Sequence, residues 1–175
     1  VPDEFARSLK KQRTKCIGII VSDVCNPFFA RILYGCNQIA EKNGVTIIDD
    51  TYNASPVSMK AGLEVLEAKA KGRRIAVLAD MKELGPDSPK FHYEVGSWMK
   101  SHPVDILFTY GELAEQIARG AKRAGMKAEY LHFDENQRDA LAESVKAKLQ
   151  PGDCVLLKGS NSMKLGEVAA RLLKD

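Results

Sequence analysis

No apolar run in the 175 residues approaches the roughly 20 that a membrane-spanning helix needs. The first residues, VPDEFARSLKKQRTK, lack the apolar stretch of a secretory signal, so the expected compartment is cytoplasmic and no membrane partner is expected. Cysteine is scarce: Cys16, Cys25, Cys36 and Cys154 form no CxxC pair. The three histidines, His92, His102 and His132, show no HExxH spacing. Zinc centres and disulfide frameworks need tighter, paired spacing, so no metal site is expected and the cysteines read as reduced and mostly buried. Neither GxGxxG nor GxxxxGK[ST] occurs, which removes both standard nucleotide fingerprints.

What is present is ordinary globular composition, 45% hydrophobic and 28% charged, enough for one domain with a real core. The net charge of +3 is uneven, because all of it falls in residues 1–44 while residues 45–175 balance to zero. Arg7, Lys10, Lys11, Arg13 and Lys15 make a short basic stretch, either a solvated arm or a contact for phosphates.

Apolar runs alternate with helical patterns along the chain. Strands are expected at 15–22 (KCIGIIVS), 45–50 (VTIIDD), 74–79 (RIAVLA), 105–110 (DILFTY), 129–133 and 154–158 (CVLLK). A helix is expected from Asn26-Pro27 to Lys42, with Phe28, Ile32, Ile39 and Ala40 near one face and Asn43-Gly44 closing it. Others open at Ser55-Pro56 and Ser88-Pro89, run from Glu112 to Ala124, follow Asp134 to Leu149, and end the chain from about Ser162. Continuous apolar strands joined by helices imply an α/β fold, a three-layer α/β/α sandwich around a six-stranded, mainly parallel, Rossmann-like sheet. Its ligand belongs at the carboxyl ends of the strands.

The densest polar cluster at such an end is Asp49-Asp50-Thr51-Tyr52-Asn53. Adjacent carboxylates on a strand face opposite ways, so they make no acid/base pair. One suits a ribose hydroxyl or a magnesium-bound water, or the cluster is a loop whose side chains satisfy backbone donors. Lys158-Gly159-Ser160 is either the tail of a phosphate-binding loop or a tight turn before the last helix. His92, on the helix after ADMKELGPDSP, reads as solvent-facing or at the core edge rather than catalytic.

Four motifs, TIIDDTYNASPVSMKAGLEVL (46–66), GRRIAVLADMKELG (72–85), FHYEVG (91–96) and LLKGSNSMKLGEV (156–168), resemble in order the C-terminal domain of the Mur ligases that add D-alanyl-D-alanine to UDP-N-acetylmuramoyl-tripeptide. Ala79 departs from the glycine usual in that family. The resemblance implies strand order 1-2-6-3-4-5 with strand 1 at an edge, antiparallel in the family. It sets Asp50 near the ATP ribose, Asn53 in the same nucleotide-contacting loop, and Lys158 and Ser160 on the D-alanyl-D-alanine side.

Residues 4–44 are similar instead to the start of the core domain of lactose-repressor-type regulators, through IGIIVSD and NPFF. That resemblance sets Asp23, Asn26 and Phe28 in an effector cleft. A first strand entering through a helix favours a parallel edge, a flavodoxin-like order puts strand 1 inside strand 2 instead, and the sequence leaves the placement and direction of strand 1 open. Together the two imply an engineered chimera, joined at 43–46 within a single domain: a repressor-type unit over 1–44 and a Mur-type fragment over 45–175. The expected chain is a monomeric scaffold, not an enzyme, with no required cofactor, no DNA partner and only weak residual binding of ATP with magnesium, of D-alanyl-D-alanine or of a repressor effector.

Overall fold

A computed structural model of the protein describes residues 39–173. Six strands, β1 (Ile39–Lys42), β2 (Val45–Asp50), β3 (Arg74–Ala79), β4 (Ile106–Tyr110), β5 (Glu129–Phe133) and β6 (Cys154–Lys158), form one sheet in the order β1-β2-β6-β3-β4-β5. Five run parallel, and β1 alone is antiparallel to its neighbour. The helices are α1 (Pro56–Lys69), α2 (Ser88–Trp98), α3 (Glu115–Arg123), α4 (Arg138–Lys148) and α5 (Leu165–Leu173).

Strand alternation builds the three layers. Ile75, Val77, Phe108, Val155 and Leu157 point to one face, where Leu141 and Val145 of α4 and Val168 and Leu172 of α5 cover them. Ala76, Leu78, Leu107 and Leu156 point to the other, against Met59, Leu63 and Leu66 of α1, Val95 of α2 with Met99 just past its end, and Ile117 of α3. Both faces of β3, β4 and β6 are therefore buried, which is why these strands read as unbroken apolar runs.

The first strand is not where the sequence reading puts it. The order 1-2-6-3-4-5 holds, but the edge strand is Ile39–Lys42 and it is antiparallel. The expectation of a helix running to Lys42 falls with this. The direction of the first strand, which the sequence leaves open, is the antiparallel one of the Mur-type domain rather than the parallel edge that a helical entry favours. The cause is the two-residue turn Asn43-Gly44, with φ of 51° and 77°. Positive φ at both positions is the type I′ geometry whose twist matches a hairpin, and Asn-Gly is its preferred sequence. The pair therefore closes a hairpin, with Lys42 opposite Val45, rather than a helix. The expected strand at 15–22 and the residues Asp23, Asn26 and Phe28 lie outside the described residues.

Elsewhere the sequence signals hold. Ser55 caps α1, accepting from Ser58 N at 3.2 Å while Ser58 Oγ accepts from Ser55 N at 2.9 Å, with Pro56 in the first turn. Asp134 and Gln137 form the equivalent box ahead of α4. Among the described residues no helix is long and apolar enough to cross a membrane.

Candidate functional site

The parallel strands end almost flush, with Asp50 beside Lys158 and Lys158 beside Leu78, so the loops after β2, β3, β4, β5 and β6 share one rim. Two polar groups form there.

The first joins β2 to β6. Lys158 is only 1% exposed, and its Nζ donates to Asp50 Oδ2 at 2.7 Å and to the Asn53 carbonyl at 3.0 Å. The Asp50 side chain is 40% exposed, so one end of this ion pair faces water. Asp49 turns the other way and accepts from Thr51 Oγ1 at 2.7 Å and Thr51 N at 3.2 Å. Asn53 is exposed, and its Oδ1 accepts from Ala54 N at 2.8 Å.

The second group surrounds the β3–α2 loop. Asp80 is fully buried; its Oδ1 accepts from Ala114 N at 2.7 Å and its Oδ2 from Lys82 Nζ at 2.9 Å. Lys82 Nζ also reaches Glu135 Oε1 at 2.7 Å. Burial opposes the charge on Lys82, but its hydrogen bonds to Glu135 and Asp80 outweigh this and raise its pKa. Ser160 closes the loop from the β6 side: its N donates to Asp80 O at 3.1 Å, and its Oγ accepts from Lys82 N at 2.8 Å.

Sequence reasoning divides Asp50 and Asn53 from Lys158 and Ser160, as two halves of a site. The geometry regroups them. Asp50, Asn53 and Lys158 form one unit, and Ser160 belongs with Asp80 and Lys82. Lys158 stands behind Asp50, its ammonium already engaged. His92 is neither solvent-facing nor at the edge: it is fully buried, and its Nε2 accepts from Met81 N at 2.8 Å. The Asp80–Lys82–Glu135 chain was missed, although ADMKELG advertises a polar loop after a buried strand; the partner in the turn after β5 leaves no mark at that spacing. Of the four cysteines, Cys154 lies within the described residues and is free and buried.

An open trough of about 470 Å³ lies at the opposite end of the sheet, lined by Glu67, Arg73, Arg74 and Asp105. Its charges are engaged: Arg73 with Asp153, Arg74 with Glu67, and Asp105 with Arg74 N. Among the described residues no cluster of three or more His, Cys, Asp or Glu could hold a metal ion.

A mixed sheet with an antiparallel edge and helices on both faces defines a Rossmann-like α/β domain. The family model described as "Mur ligase, glutamate ligase domain" matches residues 36–161, and the chain belongs to that family. The UDP-N-acetylmuramoyl-tripeptide–D-alanyl-D-alanine ligase of Bacillus subtilis is 39% identical over 138 residues, 78% of this chain and 30% of the relative. A ligase of the same name from Buchnera aphidicola (strain APS) is 26% identical over 171 residues, 98% of this chain and 34% of the relative. The crystal structure of the MurF ligase of Thermotoga maritima in complex with ADP superposes with a TM-score of 0.63 at 29% identity, covering 79% of this chain and 31% of that one. The chain thus spans about a third of the relatives it matches. None of these three is a repressor-type regulator, and the family match takes in residues 36–44, which the sequence reading gives to the repressor-type unit.

Proposed function

We propose that this domain serves an ATP-dependent amide ligase of peptidoglycan synthesis as the part that closes over the nucleotide and the incoming dipeptide. We further propose that the 175 residues by themselves turn over neither. The observation that carries this reading is the Asp50–Lys158 pair. A buried ammonium fixes a half-exposed carboxylate at the rim, beside the exposed Asn53, and such a held acceptor suits the hydroxyls of a ribose. The Ser160 hydroxyl, one loop away, accepts from Lys82 N and keeps its own proton to donate to the carboxylate end of a peptide.

Acyl-phosphate formation needs the γ-phosphate positioned and its charge neutralised, and the 175 residues contain no GxxxxGK[ST] loop for that task. Binding by one side of a site forgoes most phosphate contacts. Affinity for ATP is therefore expected to be millimolar or weaker, about −4 kcal/mol. The test is an amide NMR titration with magnesium-ATP. Saturable shifts at Thr51–Ala54, lost in Asp50→Asn, support the nucleotide side; no movement at millimolar ATP removes it. Phosphate release above background that Asp50→Asn abolishes would overturn the statement that the chain alone is inactive.

The chimeric reading of residues 1–44 has no comparable support. The Buchnera alignment runs through most of them, and the inferred junction at 43–46 falls inside the β1–β2 hairpin.

A further inference from the structure

His92 sits one turn into α2, fully buried, with both ring nitrogens engaged. Nε2 lies 2.8 Å from Met81 N, and a backbone amide can only donate, so Nε2 carries no proton. The proton is then on Nδ1, which donates to the Ser88 carbonyl at 2.7 Å. The ring is thus neutral, in one tautomer, bridging the start of α2 to the β3–α2 loop.

That loop is pinned at three consecutive residues. Asp80 O accepts from Ser160 N, Met81 N donates to His92, and Lys82 N donates to Ser160 Oγ. Of these three partners, only His92 changes its hydrogen-bonding character near neutral pH. At its far end Glu83 and Gly85 take positive φ of 66° and 70°, with Leu84 between them packed against the core. The Lys82 side chain leaves this loop to span Asp80 and Glu135.

We propose that His92 is a proton-operated clasp: protonation of its ring puts an N–H against the Met81 N–H, frees the 80–87 loop, and uncouples Lys82 and Ser160 at the rim without unfolding the sheet. Two charged groups act on the ring, Asp80 at the end of β3, which favours protonation, and Lys82 in the loop, which opposes it. Burial is the largest influence and, against the help of the Ser88 carbonyl and Asp80, holds the pKa below the ordinary imidazole value of about 6.5. The clasp is closed at neutral pH and opens only below the ordinary imidazole midpoint, the closed-to-protonated ratio falling about tenfold per pH unit. This inference stands independently of what the rim binds.

The experiment is an NMR pH titration of the whole chain from pH 8 to 5, following the histidine ring protons and assigned amides. The expected result is a His92 midpoint below 6.5, with Met81, Lys82 and Ser160 amides moving at that same midpoint while Val77 and Leu107 on the core strands stay in place. His102 and His132 in the same spectra separate their own titrations from this one. His92→Gln, which keeps an acceptor but cannot titrate, should remove the step at the three rim amides. The proposal is overturned if His92 protonates and those amides do not follow. It is equally overturned if the core-strand amides move with them, or if His92 takes up no proton before the chain unfolds. Should His92→Gln fail to fold, the wild-type titration alone decides between these outcomes.

Discussion

At the residue scale the Asp50–Lys158 pair is asymmetric, and its two truncations should not cost the same. Asp50→Ala strands a buried ammonium, which is expected to cost about 2–4 kcal/mol, between the values for surface and fully buried pairs. Lys158→Met keeps the packed stem and leaves Asp50 partly in water, so it should cost less, about 1–2 kcal/mol. Urea denaturation of both variants checks the order, and a larger loss for Lys158→Met would mean that packing, not the stranded charge, dominates. The pair was not legible in the sequence, since 108 positions separate its members and only the β2–β6 adjacency joins them. The acidic cluster at 49–53 was legible, because polar residues that stop an apolar strand stand out from it. His92 misled for the opposite reason. A histidine one turn into a helix looks exposed unless the loop that covers it is known.

At the scale of elements, the crossing of α2 and α3 rests on two glycines that face each other's backbone. A Cβ at Gly96 would lie 2.0 Å from Ile117 O, and one at Gly120 would lie 2.1 Å from Tyr93 O. Alanine is the better helix former by about 1 kcal/mol. Neither carbonyl can yield without moving a helix, so each of Gly96→Ala and Gly120→Ala is expected to lower stability by about 3 kcal/mol. Because both force the same separation of the same helices, the double variant should cost less than the sum, a shortfall that a double-mutant cycle in denaturant measures. The element pattern was the most readable part of the sequence: the strands from residue 45 onward and the Ser-Pro helix starts stand where propensity and capping place them. The failure at Ile39–Lys42 was a contest between two meanings of Asn-Gly, a helix terminator and a hairpin turn. The unbroken VTII run just after it favours the hairpin.

At the scale of the molecule, two cores share one sheet, and Cys154 on β6, 1% exposed, belongs to the one beneath α1, α2 and α3. Burial pushes its thiol pKa up to about 11. Thiolate is the reactive form, so at pH 8 Cys154 should be alkylated only as fast as the whole domain opens, and mass spectrometry of the peptide after a pulse of iodoacetamide reads that rate. Acid should act through His92. Its folded pKa is depressed, so the unfolded chain binds more protons. Stability is then flat above about pH 7 and falls below about 6.5, by at most 1.4 kcal/mol per pH unit, until the folded ring also protonates. Chemical denaturation at a series of pH values should show that slope in the wild type and a smaller one in His92→Gln.

The place of β6 between β2 and β3 has a consequence for how the protein is made. The strand at the middle of the sheet is the last strand to be synthesised. From the moment Asp50 emerges until Cys154 follows, β2 lacks its β6 neighbour, and β3 lacks it from Ala79 onward, so each offers a bare edge to any other extended chain. At ordinary rates of translation that interval lasts about 5–20 s. The sheet cannot close progressively from its amino end; it closes once, when the final strand slides into a slot that its neighbours have held open.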